Sequence, residues 1–402
     1  MYGLDYLKRK LSAKQSRVSL RYSHYEMKHV ARDFGISTPP QLQYVMSTFG
    51  WCAKAVDALA DRLQFDGFSD DNFDLGTIYN MNNPDTIFDS AVLSALISSC
   101  CFIYVSVDDE DYPRLQVIDG GKATGIIDPF TGMLQEGYAV LEESEYHEVK
   151  REAYFVPGRT DIYEGGKLVQ SVSYSCDYPL LVPIINRPDA ARPFGHSRIS
   201  RACMSIADSA MRTAKRSEIA AEFYSFPQKY VVGMSENAEM MDKWKASMSS
   251  LIAFTKDEDG DSPTLGQFSQ QSMGPHMEQL KMFASLFAGE TGLTTDDLGF
   301  VTDNPSSAEA IKASHENLRL MARKAQRNFG SGFLNAGFVA ACVRDGVAYR
   351  RSQIYLTRPE WLPIFEPDAS TLSLIGDGAI KLNQAVPGYM AEDRLHKLTG
   401  LE

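Results

Sequence analysis

The stretch that organises the reading is Thr291–Gly330, TGLTTDDLGFVTDNPSSAEAIKASHENLRLMARKAQRNFG. It reads as a polar loop bearing Gly and Asp that feeds a long helix. Ser306 with Glu309 three residues later fits a capping box, and Pro305 just ahead of it suits a helix start. At 100° per residue, Ile311, His315, Leu318, Ala322, Ala325 and Phe329 share a narrow arc, while Lys312, Glu316, Arg319, Arg323 and Arg327 occupy the other side. The apolar arc predicts burial, and it predicts His315 as a core histidine. Gly330 and Gly332 predict an interruption before a second apolar run, Phe333–Val343.

Working outward, 402 residues suffice for a sizeable core divided into two to four units, and 44% hydrophobic with 11% aromatic residues belongs to a folded chain. The net charge of −12 argues against a coat that binds nucleic acid by neutralising phosphate. The charge is uneven: Lys8, Arg9, Lys10, Lys14, Arg17, Arg21, Lys28 and Arg32 face one acid, Glu26, within residues 8–32. That segment, ending at Pro39–Pro40, reads as a solvated arm or first helix, with a segment that touches a neighbouring subunit or an acidic surface as the alternative. No secretory signal is visible and no apolar run reaches spanning length, so a soluble protein is expected. Six cysteines without CxxC spacing (52, 100, 101, 176, 203, 342) fit scattered core thiols in a reducing compartment.

From the arm onward, Leu42–Leu63 predicts a helix and Thr86–Ser99 a second, running into the apolar strand CFIYVSV. Short runs then follow (LQVI, TGII, YAVL, AYFV, DIYE, LVQSVSY), separated by turns such as Asp119-Gly120-Gly121 and Gly165-Gly166, the pattern of an antiparallel meander. The first 185 residues are therefore α+β. Leu180–Pro193, with four prolines counting Pro179, reads as a boundary. Ser197–Phe226 predicts one long helix, with Ile199, Cys203, Ile206, Ala210 and Ala214 as its apolar stripe. Residues 227–269 read as a compact α/β insertion, Pro275–Gly289 as another helix, Gln353–Leu356 as a short strand, and the end of the chain as two short helices joined at Gly388.

Sites of chemistry are not evident. The seven histidines are dispersed, and none stands at metal-ligand spacing from a Cys or carboxylate, so no metal, cofactor or catalytic set is expected. Asp257-Glu258-Asp259-Gly260-Asp261 lacks the closing Glu of a calcium loop, and Gly120-Gly121-Lys122 is not a phosphate loop. No GxSxG, HExxH or paired-carboxylate pattern occurs, which moves the reading away from an enzyme.

Two runs, PFGHSRISRACMSIADSAMRTAKRSEIAAEFYSFPQKYVVG (193–233) and LTTDDLGFVTDNPSSAEAIKASHENL (293–318), resemble the portal proteins of tailed double-stranded-DNA bacteriophages, in particular those of long-tailed phages of Gram-positive hosts. The order of elements from about Leu42 matches as well. The resemblance implies a portal fold, α+β, assembled as a ring of probable twelvefold symmetry: residues 1–196 a wing, 197–226 a stem helix, 227–269 a clip, 270–291 a second stem helix, 292–307 a tunnel loop, 308–366 a kinked wing helix with a return strand, and 367–402 a short crown. It implies a virion protein assembled in the host cytoplasm, a conduit for DNA packaging and ejection without membrane contact. The implied partners are further copies of itself, the terminase large subunit, a head–tail adaptor, the major capsid protein with its scaffold, and the double-stranded DNA in transit. Asp296, Asp297, Phe300, Val301, Thr302, Asp303 and Asn304 would face the DNA. Lys229, Tyr230, Lys243, Trp244, Asp257 and Asp259 would dock partners at the clip.

The residues fit this independently. Twelve copies would carry a formal charge of about −144, which repels a moving polyanion, and residues 293–307 contain no Lys or Arg. The rival reading is a nucleic-acid-binding protein that grips phosphate with its basic arm. A hydrolase hidden in the α+β body has no supporting constellation.

Overall fold

The computed structural model describes residues 2–33, 42, 44–108, 112–146, 148–225, 229–232, 264–267, 269, 272–301, 313–365, 367 and 369–399. The capping-box residues Ser306 and Glu309, and the start of the long helix at Ile311 and Lys312, lie outside them.

The body is built around a three-stranded antiparallel sheet in the order β3-β2-β9: Pro113–Asp119, Cys100–Val107 and Leu181–Ile185. The central strand is buried nearly from end to end, which is why it reads as a continuous apolar run and not an alternating one. One face carries the helix Pro84–Ser98 (α4), the other the long helix Glu316–Asp345 (α7). A second sheet, β4 to β8 (Ala123–Ile127, Leu134–Glu143, Val149–Val156, Arg159–Glu164, Lys167–Ser173), is the expected meander in sequential order. Its last hairpin turns on Gly165 and Gly166, with φ of 53° and 79°, values that favour glycine in a two-residue turn. The architecture is α+β.

Several expectations are corrected. The boundary stretch after Leu180 contains the buried strand β9; its Pro183 is tolerated because β9 lies at the sheet edge. Of Leu42–Leu63 only Trp51–Ala60 (α2) is helical. Residues 45–49 alternate between half-buried and exposed, the two-residue period of extended chain. The expected strand Gln353–Leu356 is largely a 3-10 turn, Arg351–Ile354, and the strand comes later, Arg358–Trp361 (β12), paired with Phe65–Ser69 (β1).

Of the two forms expected for the basic segment, the structure shows the helix, and it is packed where solvation was expected. Leu4–Tyr25 is a helix (α1) whose Leu7 and Leu11 bury against Tyr138, Val140, Tyr154 and Val156 of the meander. Four of its charges are used internally, while Arg9 and Arg17 stay exposed. Lys8 pairs with Glu152, Lys10 donates to the Gly125 carbonyl at 2.6 Å, and Arg21 donates to the Ser98 carbonyl at 2.9 Å. Lys14 lies over the Phe194 ring, 4.4 Å from its centre. Burial lowers the pKa of Lys10 to about 8 and pushes Lys14 down as well. Cations placed so are poorly available to phosphate.

The long helix α7 is continuous through Gly330 and Gly332. The glycines do not break it; they let neighbours touch its backbone. A Cβ at Gly330 would stand 2.8 Å from Pro359 Cβ, and one at Gly332 would stand 2.7 Å from Ile184 Cδ1. Leu318, Ala322, Ala325 and Phe329 are buried as the helical period demands. Beyond Gly330 the helix is buried almost all round, where Tyr79 donates its hydroxyl to the Phe333 carbonyl at 2.6 Å. The chain ends in helices Ala369–Ala385 (α8) and Glu392–Thr399 (α9), with Gly388 at φ 75° between them.

Candidate functional site

Two helices leave the body together. Arg201–Ser225 (α5) and Gly274–Thr291 (α6) run antiparallel, held near the body by Ser200 Oγ donating to Glu290 at 2.9 Å and further out by Thr213 Oγ1 donating to Gln279 at 3.1 Å. At 1.5 Å per residue α5 spans about 37 Å. Ile199, Cys203 and Ala210 of the expected stripe are buried, while Ile206 and Ala214 are half-buried. The far end of the pair is joined by an antiparallel ribbon, Lys229–Val232 (β10) with Thr264–Gln267 (β11). Lys229 and Tyr230 are placed on this ribbon; Lys243, Trp244, Asp257 and Asp259 lie outside the described residues.

Where the pair meets the body, the buried Arg198 ties three elements. Its Nε donates to the Ala55 carbonyl of α2 at 3.0 Å, one terminal nitrogen donates to the Thr291 carbonyl at the end of α6, and the other meets Met321 Sδ of α7 at 3.0 Å. Burial lowers its pKa to about 10, which leaves it charged at neutral pH. Sequence reading did not single it out, although it sits in the quoted GHSRIS run. A lone arginine one residue from a predicted apolar stripe carries no pattern that announces burial.

Beyond α6 the chain turns at Gly292 (φ 69°) and enters the loop. Thr294 and Asp297 cap each other. The Thr294 N–H and hydroxyl donate to Asp297 Oδ2 at 2.9 and 2.8 Å, and the Asp297 N–H donates back to Thr294 Oγ1 at 3.1 Å. This closes the 3-10 turn Asp296–Leu298, with Gly299 at φ 90°. Asp297 is therefore half-buried and occupied, and Phe300 packs partly against the main core. Asp296 is exposed, and Val301, 78% exposed, marks the outgoing tip. Thr302, Asp303 and Asn304 lie outside the described residues. His315 is half-buried at the start of α7, not a core histidine; its Nδ1 is 3.9 Å from Asp297 Oδ2, so it links loop to helix.

A second cluster went unseen in the sequence. Near the base of α5, Asp208 Oδ1 lies 3.2 Å from His24 Nε2 and 3.3 Å from His29 Nε2, and the two rings stack at 3.9 Å. The histidines and the carboxylate are 184 and 179 positions apart, so no spacing rule brings them together.

The helix pair, ribbon, loop and long buried helix define the class to which comparison with known proteins points. No known family model matches the chain. It is 24% identical over 401 residues to the portal protein of Mycobacterium phage D29, covering 94% of this chain and 81% of that one, and 22% identical over 395 residues to the portal protein of Mycobacterium phage L5 (92% and 80%). Among solved structures, the neck of a native gene transfer agent particle with C12 symmetry matches with a TM-score of 0.47 at 13% identity, covering 96% of this chain and 99% of that chain. An HK97-family phage portal protein from Corynebacterium diphtheriae matches with a TM-score of 0.39 at 8% identity, covering 82% and 97%. By sequence, the chain is a homologue of phage portal proteins, with curated relatives in mycobacteriophages.

Proposed function

We propose that this chain is the portal vertex protein of a tailed phage, a ring-shaped conduit for double-stranded DNA at one corner of the capsid. The observation that carries it is the similarity to mycobacteriophage portal proteins over more than nine-tenths of the chain. The physical features support the reading. A head-to-tail ring needs two different complementary surfaces on each subunit, and α6 leaves Met282 and Leu286 about half exposed while α7 exposes Leu320 on its otherwise polar face. In the ring these residues meet the neighbouring subunit.

In this arrangement α5 and α6 form the stem, and the β10–β11 ribbon with the residues between its strands forms the clip, where terminase and then a head–tail adaptor dock. Residues 292–307 line the channel, with Asp296 and Val301 turned toward the DNA. An acidic loop without Lys or Arg gives phosphate no grip, so the polyanion slides. The motor chemistry belongs to the terminase, and the portal itself performs no covalent step. The protein resides in the virion and assembles with capsid and scaffold in the host cytoplasm.

Electron microscopy of the purified full-length protein tests the assembly: rings with a central hole, twelvefold when counted, are expected, and a stable monomer under all conditions overturns the reading. The basic-helix alternative makes a different prediction. Deleting residues 2–25 would then abolish salt-sensitive DNA binding while leaving the rest folded. The internal pairing of Lys8, Lys10 and Arg21 favours loss of stability instead.

A further inference from the structure

We propose that His24, His29 and Asp208 form a binding site for a divalent transition-metal ion of the zinc class, which fastens the N-terminal helix to the stem helix. The backbone brings the three together by a specific device. After α1 ends, Met27 adopts a left-handed φ of 57°, and the N–H groups of Lys28 and His29 both donate to the Ser23 carbonyl, at 2.8 and 3.0 Å. This hook folds the chain back so that the His29 ring lies on that of His24. A non-glycine residue in that conformation is uncommon and costs energy, so the stacking is imposed by the surroundings and does not result from a relaxed loop.

The nitrogen-to-oxygen separations suit a metal, to which both rings turn by leaving their stack, because each lone pair lies in the plane of its ring. Bonds of about 2.0–2.1 Å from zinc to nitrogen and oxygen place neighbouring tetrahedral ligands about 3.3–3.4 Å apart. The two nitrogen-to-oxygen separations here are 3.2 and 3.3 Å, and all three donor atoms lie within 4.8 Å of one another. His24 also has the expected outer partner. Its Nδ1 must carry the hydrogen, because it donates to the Leu20 carbonyl at 2.9 Å, which leaves the Nε2 lone pair for a ligand when the ring is neutral. That lone pair then points at a carboxylate oxygen, an arrangement that needs either a proton or a metal cation between them. Protons can also fill this place, with a charged His24 and a neutral His29 each donating from Nε2 to the carboxylate, and the titration described below separates the two occupants. A single divalent ion satisfies all three groups.

Two imidazoles favour zinc, cobalt or nickel over calcium or magnesium, which prefer all-oxygen sites. The site joins the end of α1 to α5 about two turns from where α5 leaves the body, so an ion there ties the N-terminal helix to the base of the stem. It stands whether or not the ring reading holds.

The test is calorimetric titration of the EDTA-treated full-length protein with zinc chloride at pH 7.5, alongside His29→Ala and Asp208→Asn, both at partly exposed positions, and His276→Ala as a control. One zinc per chain is expected for the wild type and the control. Each ligand variant should lose at least the 10–100-fold in affinity that even outer-shell substitutions cost. Cobalt(II) loaded in place of zinc should show the intense visible bands of a tetrahedral ion, absent from both variants. Affinity should fall as pH drops through the histidine range, because protons compete for the same nitrogens. Failure of the wild type to take up one ion per chain, or uptake unchanged in both ligand variants, overturns the proposal. Failure of the ring proposal would appear in the micrographs and leave this titration untouched.

Discussion

The body and the stem are made of the same materials arranged to different ends. In the body the large side chains along the second half of α7 find cover within the chain: Phe329, Phe333 and Phe338 are fully buried, and glycines admit Pro359 and Ile184 to the helix backbone. In the stem, α6 buries Leu280, Ala284 and Phe287 against α5 but leaves Met277, Met282 and Leu286 half exposed along its outer side. Helices with one satisfied and one unsatisfied apolar face are incomplete as a monomer. The difference teaches that the body is completed within the chain, whereas α6 keeps an apolar surface free for the ring contact proposed above.

The strongest way to break the comparison is at the joint. Arg198→Met should destabilise the subunit by about 3 kcal/mol, since it leaves the Ala55 and Thr291 carbonyls without their charged donor. Urea unfolding would show this as a lower midpoint at unchanged slope. Within the body, Gly330→Val should cost about 1–3 kcal/mol by forcing the Pro359 ring away, despite the better helix propensity of valine. A Gly330→Val protein as stable as wild type would mean β12 can retreat freely.

In the stem the effects reverse. The double substitution Met282→Glu with Leu286→Glu should abolish rings while changing subunit stability by no more than about 0.5 kcal/mol, as surface changes do. Light scattering together with thermal melts separates the two readouts. Loss of fold along with loss of rings would erase the distinction drawn here.

A smaller, pH-dependent effect is expected where α1 meets the meander. Burial alone would raise the Glu136 carboxyl, but the N–H groups of Gly3 and Tyr2 and the Tyr154 hydroxyl outweigh it and hold it below its ordinary value. A depressed carboxylate stabilises the fold fully above its unfolded pKa of about 4.3, and the contribution is lost as pH falls through the folded value. Glu136→Gln should therefore lower the melting temperature at pH 7, and the gap to wild type should close in acid. The smallest expected effect on the protein itself is Asp296→Lys at the loop tip, which should leave rings and stability intact yet slow DNA filling of particles. Normal packaging by that variant would count against a sliding contact.

Much of the body was legible because its signals are local. Alternating runs separated by Gly-Gly and Asp-Gly turns announced the meander, and the three-to-four-residue period of Leu318, Ala322, Ala325 and Phe329 announced the buried face of α7. The readings that failed asked local chemistry to decide a tertiary matter. Gly330 and Gly332 signal a break only if nothing presses on the helix. Eight basic residues signal an exposed arm only if no carboxylate, carbonyl or ring awaits them on the same chain. Pro183 signals a boundary only if the strand is not at an edge. For the proposed site, Asp296 is exposed as read, whereas Asp297 is half-buried and capped by Thr294; the far bound of the loop lies outside the described residues.

The sequence by itself determined the antiparallel meander, the buried face of α7 and the likeness to phage portal proteins, because backbone propensity and hydrophobic period act over a few residues. Only the tertiary structure decided that Arg198 is the joint of the stem, that the basic helix is spent on its own sheet, and that His24, His29 and Asp208 share one place. Those depend on groups between 77 and 184 residues apart meeting within hydrogen-bond distance, and no local pattern records such a meeting.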